Sequence, residues 1–212
     1  SKLSNMMFSA IASIEIAFRT QLCLRLALDT NDSHWLLNSD HFVSNFDHGK
    51  LLEELTKETY RSREIFINNY KQTYNAPELP ATWMLIEIVP FGTWSRIYSM
   101  LKDKALKKDV AKYFNVPSFV LESWIHSLTV FRNLCAHHAR LWNRTLTIKP
   151  KLTNRMEKYY STCCHKKERL VLILDIICEL LKPLGKYEKF VGQINSLFEK
   201  HKNIPHDQLG LQ

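Results

Sequence analysis

The spacing of apolar residues between Pro117 and Arg144 limits most strongly what this chain can fold into. Apolar side chains recur there at intervals of three, four and seven residues, at Leu121, Trp124, Leu128, Phe131, Cys135 and Trp142. This is the period of one buried face of an α-helix. Pro117 suits the first helical turn, where its missing N–H is not needed. The pattern therefore predicts one long, mostly buried helix from about Pro117 to Arg144.

Helical signals dominate the rest of the chain as well. Further helices are predicted at about Leu3–Leu28, from an Asp47 cap to Tyr70, at Trp83–Leu101 with an interruption at Pro90 and Gly92, and at Lys104–Phe114, Cys163–Leu181 and Lys186–His201. Only Thr145–Ile148 alternates like a strand, and it is too short to found a sheet. With 5 glycines and 7 prolines, the chain is predicted to be all-α, an irregular helical bundle in which residues 1–212 form a single domain.

The last part of the helix predicted from Pro117 carries a concentrated set of polar side chains: Arg132, Asn133, His137, His138, Arg140, Asn143 and Arg144. On a helix, Asn133 and His137 lie one above the other, and Arg140 and Arg144 continue the same face. Arg132 is about 140° from His137 around the axis. One helix cannot easily bring both to one phosphate, whereas two copies facing each other across a symmetric interface can. The segment holds no carboxylate, so it suits RNA better than a metal ion or a sugar.

These side chains match the needs of metal-free RNA cleavage. An imidazole, with a pKa of about 6.5, can take the proton of a ribose 2′-hydroxyl or give one to the leaving 5′-oxygen. We expect His137 to be the general base or acid, Arg132 to stabilise the charge on the phosphorane, and Asn133 to orient His137 or the phosphate. His138 either supplies the second proton transfer or only anchors the helix.

Other charged and polar residues allow more than one interpretation. Arg140, Asn143 and Arg144 either bind flanking RNA phosphates or close the helix end, where cations favour the helix dipole. Glu87 lies among apolar neighbours, and such a carboxylate usually has a partner. One of the arginines just described is a candidate for that partner.

Four blocks of the chain occur in the order typical of a known family: Ile14–Thr20, Trp83–Glu87, Phe91–Thr93, and Leu121–Arg144 with its string Arg-Asn-x-x-Ala-His-His. With these blocks the chain resembles the abortive-infection phage-defence proteins of the AbiD/AbiF-like group, in the HEPN superfamily of helical ribonucleases. The resemblance implies a bundle of HEPN type. It also implies that Arg132, Asn133 and His137 correspond to the Arg-polar-x3-His signature of that superfamily, with a composite site at a homodimer interface.

The same resemblance implies a function. A protein of this kind is a metal-independent endoribonuclease of bacterial antiphage defence, of the abortive-infection or toxin–antitoxin type, that leaves 2′,3′-cyclic phosphate and 5′-hydroxyl ends. RNA is then the substrate, and a non-coding RNA or a protein antitoxin restrains the enzyme. Members of the family carry a further N-terminal portion before the block that begins at about Ile14.

Composition agrees with these expectations without identifying the function. A formal charge of +8 favours an anionic partner such as RNA, although an anionic membrane surface also satisfies it. Five irregularly spaced cysteines favour a reducing, cytoplasmic location. We expect no cofactor and no metal, because the adjacent Cys163 and Cys164 cannot easily reach one tetrahedral ion together with His165. We expect no membrane span, because the most apolar stretch, Leu170–Leu181, is far shorter than about 20 residues.

Two other functional classes stay open. The first is a catalytically inactive helical module that uses the same arginines and histidines to hold a structured regulatory RNA. The second is a protein-interaction domain in which the polar residues form a buried network. An intact Arg-x4-His spacing favours the nuclease, but it does not show that two copies meet at cutting distance.

Overall fold

The computed structural model of the chain describes residues 2–137, 139–141, 143–162 and 169–201. Within these ranges there are ten α-helices and no β-strand, apart from an isolated bridge between Phe42 and Leu101. The helices are α1 (Lys2–Thr30), α2 (His48–Arg61), α3 (Ile65–Thr73), α4 (Thr82–Ile88), α5 (Phe91–Met100), α6 (Lys104–Tyr113), α7 (Ser118–Ala136), α8 (Asn154–Thr162), α9 (Leu170–Leu181) and α10 (Tyr187–Lys200). The predicted all-α class is confirmed.

The helix predicted from the Asp47 cap to Tyr70 is instead two helices, α2 and α3. Asp47 does cap α2, since its side chain accepts a hydrogen bond from the Lys50 N–H. The chain leaves the helix after Arg61, where the Ser62 hydroxyl accepts a hydrogen bond from the Glu64 N–H. Such local side-chain bonds compete with helical hydrogen bonds. Helix α8 was not predicted, because it is short and largely polar.

The described residues divide into two compact units. One, which we call the motif unit, contains the described residues of 1–17 and 111–212, and the other, the middle unit, contains residues 18–110. Helices α1 and α6 each contribute residues to both. The expectation of a single domain over residues 1–212 stays a prediction.

The middle unit has its own aromatic core. Phe18 packs edge-on against Phe91 and Tyr98, with ring centroids 6.3 Å and 5.4 Å away. Trp35 and Trp94 are fully buried. The guanidinium of Arg19 donates to the carbonyl oxygen of Ile86 at 2.9 Å, which ties α1 to α4. Aromatic pairs of this kind add stability beyond the area that they bury.

The core of the motif unit contains the buried face of α7. Leu121, Trp124 and Leu128 are fully buried, as the spacing predicted, and so are Val120 and Ile125, which the predicted face did not include. From α1, Met7, Ile11 and Ile14 are also fully buried, and α9 is buried over most of its surface. The Ser4 hydroxyl donates to the carbonyl oxygen of Cys135 at 3.4 Å. Helix α1 therefore lies against the last turn of α7, where the predicted site residues begin.

Helix α1 is more apolar than the expectation of no membrane span assumed. By length and composition alone it is long and apolar enough to cross a membrane. In the structure, 44% of its most apolar window is buried, and core helices of soluble proteins pass the same test. The expectation that no membrane is involved stays a prediction.

Candidate functional site at the end of helix α7

Helix α7 ends at Ala136, eight residues before the predicted end at Arg144. His137 is the C-cap, and its N–H donates to the carbonyl oxygen of Asn133 at 3.0 Å. The N–H of Ala139 then donates to the carbonyl oxygen of Leu134 at 2.9 Å, which closes the helix end. The prediction of a helix through Arg144 was therefore wrong, and Arg140 and Arg144 do not continue the face of Asn133 and His137.

Tertiary contacts explain why the chain leaves the helix there. Leu141 and Leu146, which follow the helix end, are both buried. Further on, the backbone of Lys151 is held by two side chains of α7. Its carbonyl oxygen accepts from the Trp124 indole N–H at 2.7 Å, and its N–H donates to the Ser123 hydroxyl at 2.9 Å. These contacts return the chain along α7, so the helix cannot run on past Ala136.

Arg132 lies on the last turn of α7 against two side chains of α1. Its Nε is 3.9 Å from Oε2 of Glu15, and its guanidinium lies over the Phe8 ring, 5.5 Å from the centroid. The Glu15 side chain is 10% exposed and that of Arg132 is 40% exposed. At 3.9 Å the contact is an ion pair and not a hydrogen bond. Nε is buried and has no hydrogen-bond partner within the described part of the chain.

The sequence interpretation did not place Glu15 or Phe8 at the site, because it considered Glu15 only as an intrahelical partner of Arg19, four residues further along α1. It treated the site as free of carboxylates and gave Glu87 as the candidate partner of a site arginine, but Glu87 is exposed and therefore needs no buried cation. A carboxylate between Ile14 and Ile16 on a core helix does indicate a nearby compensating charge, and that charge includes Arg132. What the sequence could not supply was which cation it meets.

Asn133 and His137 are both exposed, one helical turn apart. The His137 N–H donates to the Asn133 carbonyl oxygen, so the two residues lie on successive turns of the helix end. Their catalytic roles stay predictions. Burial raises the pKa of the neighbouring Cys135 thiol, which therefore stays protonated and is not a nucleophile near neutral pH. His138 and Trp142 lie outside the described residues, as do Cys163, Cys164 and His165.

Arg140, Asn143 and Arg144 lie in the segment that follows α7. Asn143 adopts a left-handed backbone conformation with φ of 53°, which asparagine tolerates better than most residues. Its side-chain oxygen accepts a hydrogen bond from the Arg169 guanidinium at 2.9 Å. Arg140 is exposed and Arg144 is partly exposed. Asn143 thus has a structural role beside α9, and the two arginines are accessible to solvent.

No group of three or more histidine, cysteine or acidic side chains within the described ranges is arranged to hold a metal ion. The expectation that the protein uses no metal and no cofactor stays a prediction. The surface at the end of α7 instead offers a guanidinium, a carboxamide and an imidazole, all reached by solvent. These groups can neutralise a phosphate, orient it by hydrogen bonds and move a proton.

Comparison with known proteins gives one informative result. Neither a curated protein nor a solved structure shows significant similarity to the chain. A family model described as Abi-like protein matches residues 1–143. This match covers more than half of the chain and includes α1, the last turn of α7 and the residues Arg132, Asn133 and His137. The chain therefore belongs to the Abi-like protein family.

Proposed function

We propose that this protein is a metal-independent endoribonuclease of bacterial antiphage defence, with a site completed by a second copy of the chain. Membership of the Abi-like family suggests a role in abortive infection, in which phage is resisted at the expense of the infected cell. The nuclease activity, the site residues and the homodimer go beyond that family membership. The proposal places the protein in the cytoplasm, with RNA as substrate and an RNA or protein antitoxin as its restraint.

The observation that best supports the proposal is the environment of Arg132. Glu15 and Phe8 hold the guanidinium from the side of α1, while 40% of the side chain stays exposed. An arginine that is restrained by neighbours and still reached by solvent is prepared to bind a phosphate without a large loss of side-chain entropy. Asn133 and His137, which are also exposed at the end of α7, supply the amide and the imidazole.

In the proposed reaction, the 2′-oxygen of the substrate attacks the adjacent phosphorus and the bond to the 5′-oxygen breaks. His137 accepts the 2′-hydroxyl proton, and an imidazole of the second copy gives a proton to the leaving 5′-oxygen. Arg132 stabilises the charge that builds on the nonbridging oxygens, and Asn133 orients the phosphate. The products carry a 2′,3′-cyclic phosphate and a 5′-hydroxyl.

The test is to incubate purified protein with end-labelled RNA in EDTA and to identify the chemistry of the product ends. Wild type should cut, and His137→Ala should lose activity by about 10² to 10⁴ because a proton transfer is removed. Arg132→Ala should also be inactive. Arg132→Lys is the matched variant that keeps a positive charge for Glu15 but loses the planar fork for the phosphate, so it should fold normally and still cut poorly.

Two outcomes contradict the proposal. Cleavage that persists in His137→Ala, or that disappears on chelation and returns with Mg²⁺, would overturn the metal-free mechanism. If the wild type cuts no RNA but binds one tightly, the protein is an RNA-binding module. Sedimentation at micromolar protein concentration tests whether two copies of the chain associate. A stable monomer at that concentration would contradict the composite site.

A further inference from the structure

A second polar surface of the motif unit lies between α1 and α10. Two neighbouring depressions there have volumes of about 200 and 600 Å³, and both are lined by Met6, Lys189 and Gln193. Because they share these residues, they form one continuous recess, which we call the α1/α10 groove. No sequence motif pointed to it.

The groove is lined by one face of each helix. On α10 the lining residues recur at helical spacing, at Lys189, Gln193, Ser196 and Lys200. On α1 they do the same, at Lys2, Asn5, Ser9 and Ser13. Residues spaced in this way share one side of a helix. The two faces therefore present neutral hydrogen-bonding groups with lysines interspersed among them.

The charge of the lining is strongly one-sided. Four lysines line the groove, at Lys2, Lys186, Lys189 and Lys200, against a single described carboxylate, Glu188. All four lysines are exposed. The ammonium of Lys186 donates to the Ser13 hydroxyl at 2.9 Å, which places this cation across the groove from α10 to α1. Four ammonium groups in one recess favour an extended polyanion.

The dimensions and chemistry fit a single RNA strand better than an anionic membrane. From Lys186 to Lys200 the α10 side extends for about 20 Å, which is long enough for several phosphates. The lysines are set along a recess, and none of the large exposed apolar residues of the described chain lines it. A membrane surface is bound more readily by a protruding face that carries apolar side chains.

The groove also lies close to the end of α7. Phe8 and Glu15, which contact Arg132, are on α1, and the groove residues of α1 are centred roughly 120° further around the same helix. One helix, about 10 Å across, therefore separates the groove from Arg132. A strand that follows the groove can continue over α1 to the site.

We propose that the α1/α10 groove binds the phosphate backbone of the RNA that is cut at the end of α7. This proposal rests on the proposed function, because it assigns a path to the same substrate. The lysines neutralise phosphates as point charges, while Asn5 and Gln193 donate to phosphate or ribose oxygens without reading the base sequence. Binding in the groove is thus expected to be independent of sequence and sensitive to salt.

The experiment measures how the affinity for a short, fluorescent single-stranded RNA depends on salt, in a His137→Ala background so that the RNA stays intact. Each phosphate neutralised on a single strand contributes about 0.7 to the slope of log K against log salt. Lys186→Ala/Lys189→Ala should therefore flatten the slope by about 1.4 and weaken binding at low salt. Glu188→Gln, which removes the opposing charge, should strengthen binding.

A matched double variant controls for net charge. Lys104→Ala/Lys108→Ala removes two exposed lysines of α6, in the middle unit and outside the groove. It should leave the slope nearly unchanged. If both double variants flatten the salt slope equally, the effect is one of net charge, and the proposed binding in the groove is wrong. If the groove variant has the wild-type slope while the wild type binds RNA, the proposed RNA path through the groove is wrong, but the proposed nuclease activity is not affected.

The remaining outcomes separate the two proposals further. If the wild type binds no RNA under any salt condition, the groove and the proposed function fail together. If the groove lysines are needed for binding vesicles that contain phosphatidylserine but not for binding RNA, the RNA path is wrong and a membrane occupies the surface. Circular dichroism of both double variants confirms that helix content is unchanged, as expected for exposed lysines.

Discussion

Replacing Glu15 by glutamine removes the charge beside Arg132 while nearly keeping the size of the side chain. Two unit charges about 4 Å apart interact by about 4 kcal/mol at the effective dielectric constant of about 20 that applies near a protein surface. The Arg132 side chain is 40% exposed, so solvent screening reduces this to about 1 kcal/mol. That energy is what Glu15 contributes to holding the guanidinium in place.

A loss of about 1 kcal/mol from the transition state lowers the rate about fivefold. If Glu15 acts by positioning Arg132, Glu15→Gln should lower kcat about fivefold and change KM little, because the substrate's ground-state contacts are not removed. Single-turnover cleavage of labelled RNA measures the chemical step directly. The measurement is made below the melting temperature of each variant, so that only folded protein contributes.

Glu179→Gln is the matched control for this prediction. Glu179 is also partly buried in the motif unit, and it forms an ion pair with Arg155 of α8 and not with a residue of α7. Its replacement should affect stability at most and leave kcat unchanged. The positioning role is refuted if Glu15→Gln cuts as fast as wild type while Arg132→Ala is inactive, or if both glutamine variants slow cleavage equally.

Two further predictions do not depend on RNA. Trp124→Phe removes the indole N–H that binds the Lys151 carbonyl oxygen and also part of a fully buried ring, so it should lower the free energy of unfolding by more than the ~1 kcal/mol of the hydrogen bond and increase hydrogen exchange in the segment after α7. A normal exchange rate there would show that other contacts hold the segment. Burial raises the pKa of Cys23 to about 11 and that of Cys178 to about 12, from 9.0. Since only the thiolate reacts, iodoacetamide at pH 8 should modify the peptides of both residues only after unfolding, with reactivity rising as the pH approaches these values. Rapid labelling of the partly buried Cys178 in the native protein would contradict its raised pKa.

Much of the secondary structure was available from the sequence. Helix α1, the break between α4 and α5 at Pro90, and the position of α6 all follow from local signals, because periodic apolar residues and proline act over a few residues of chain. The family was also predicted from blocks of sequence, and the match over residues 1–143 confirms it. The roles of Arg132, Asn133 and His137 stay predictions.

Tertiary structure decided the end of α7 and the surroundings of Arg132. The apolar spacing continues past Ala136 and therefore predicted a longer helix. The helix ends earlier because Leu141 is buried and because Trp124 binds the backbone of Lys151. The ion pair with Glu15 joins residues far apart in the sequence, and the α1/α10 groove requires two helices from opposite ends of the chain. Local patterns show which face of a helix is buried, whereas the partner of a charge depends on which helices pack together.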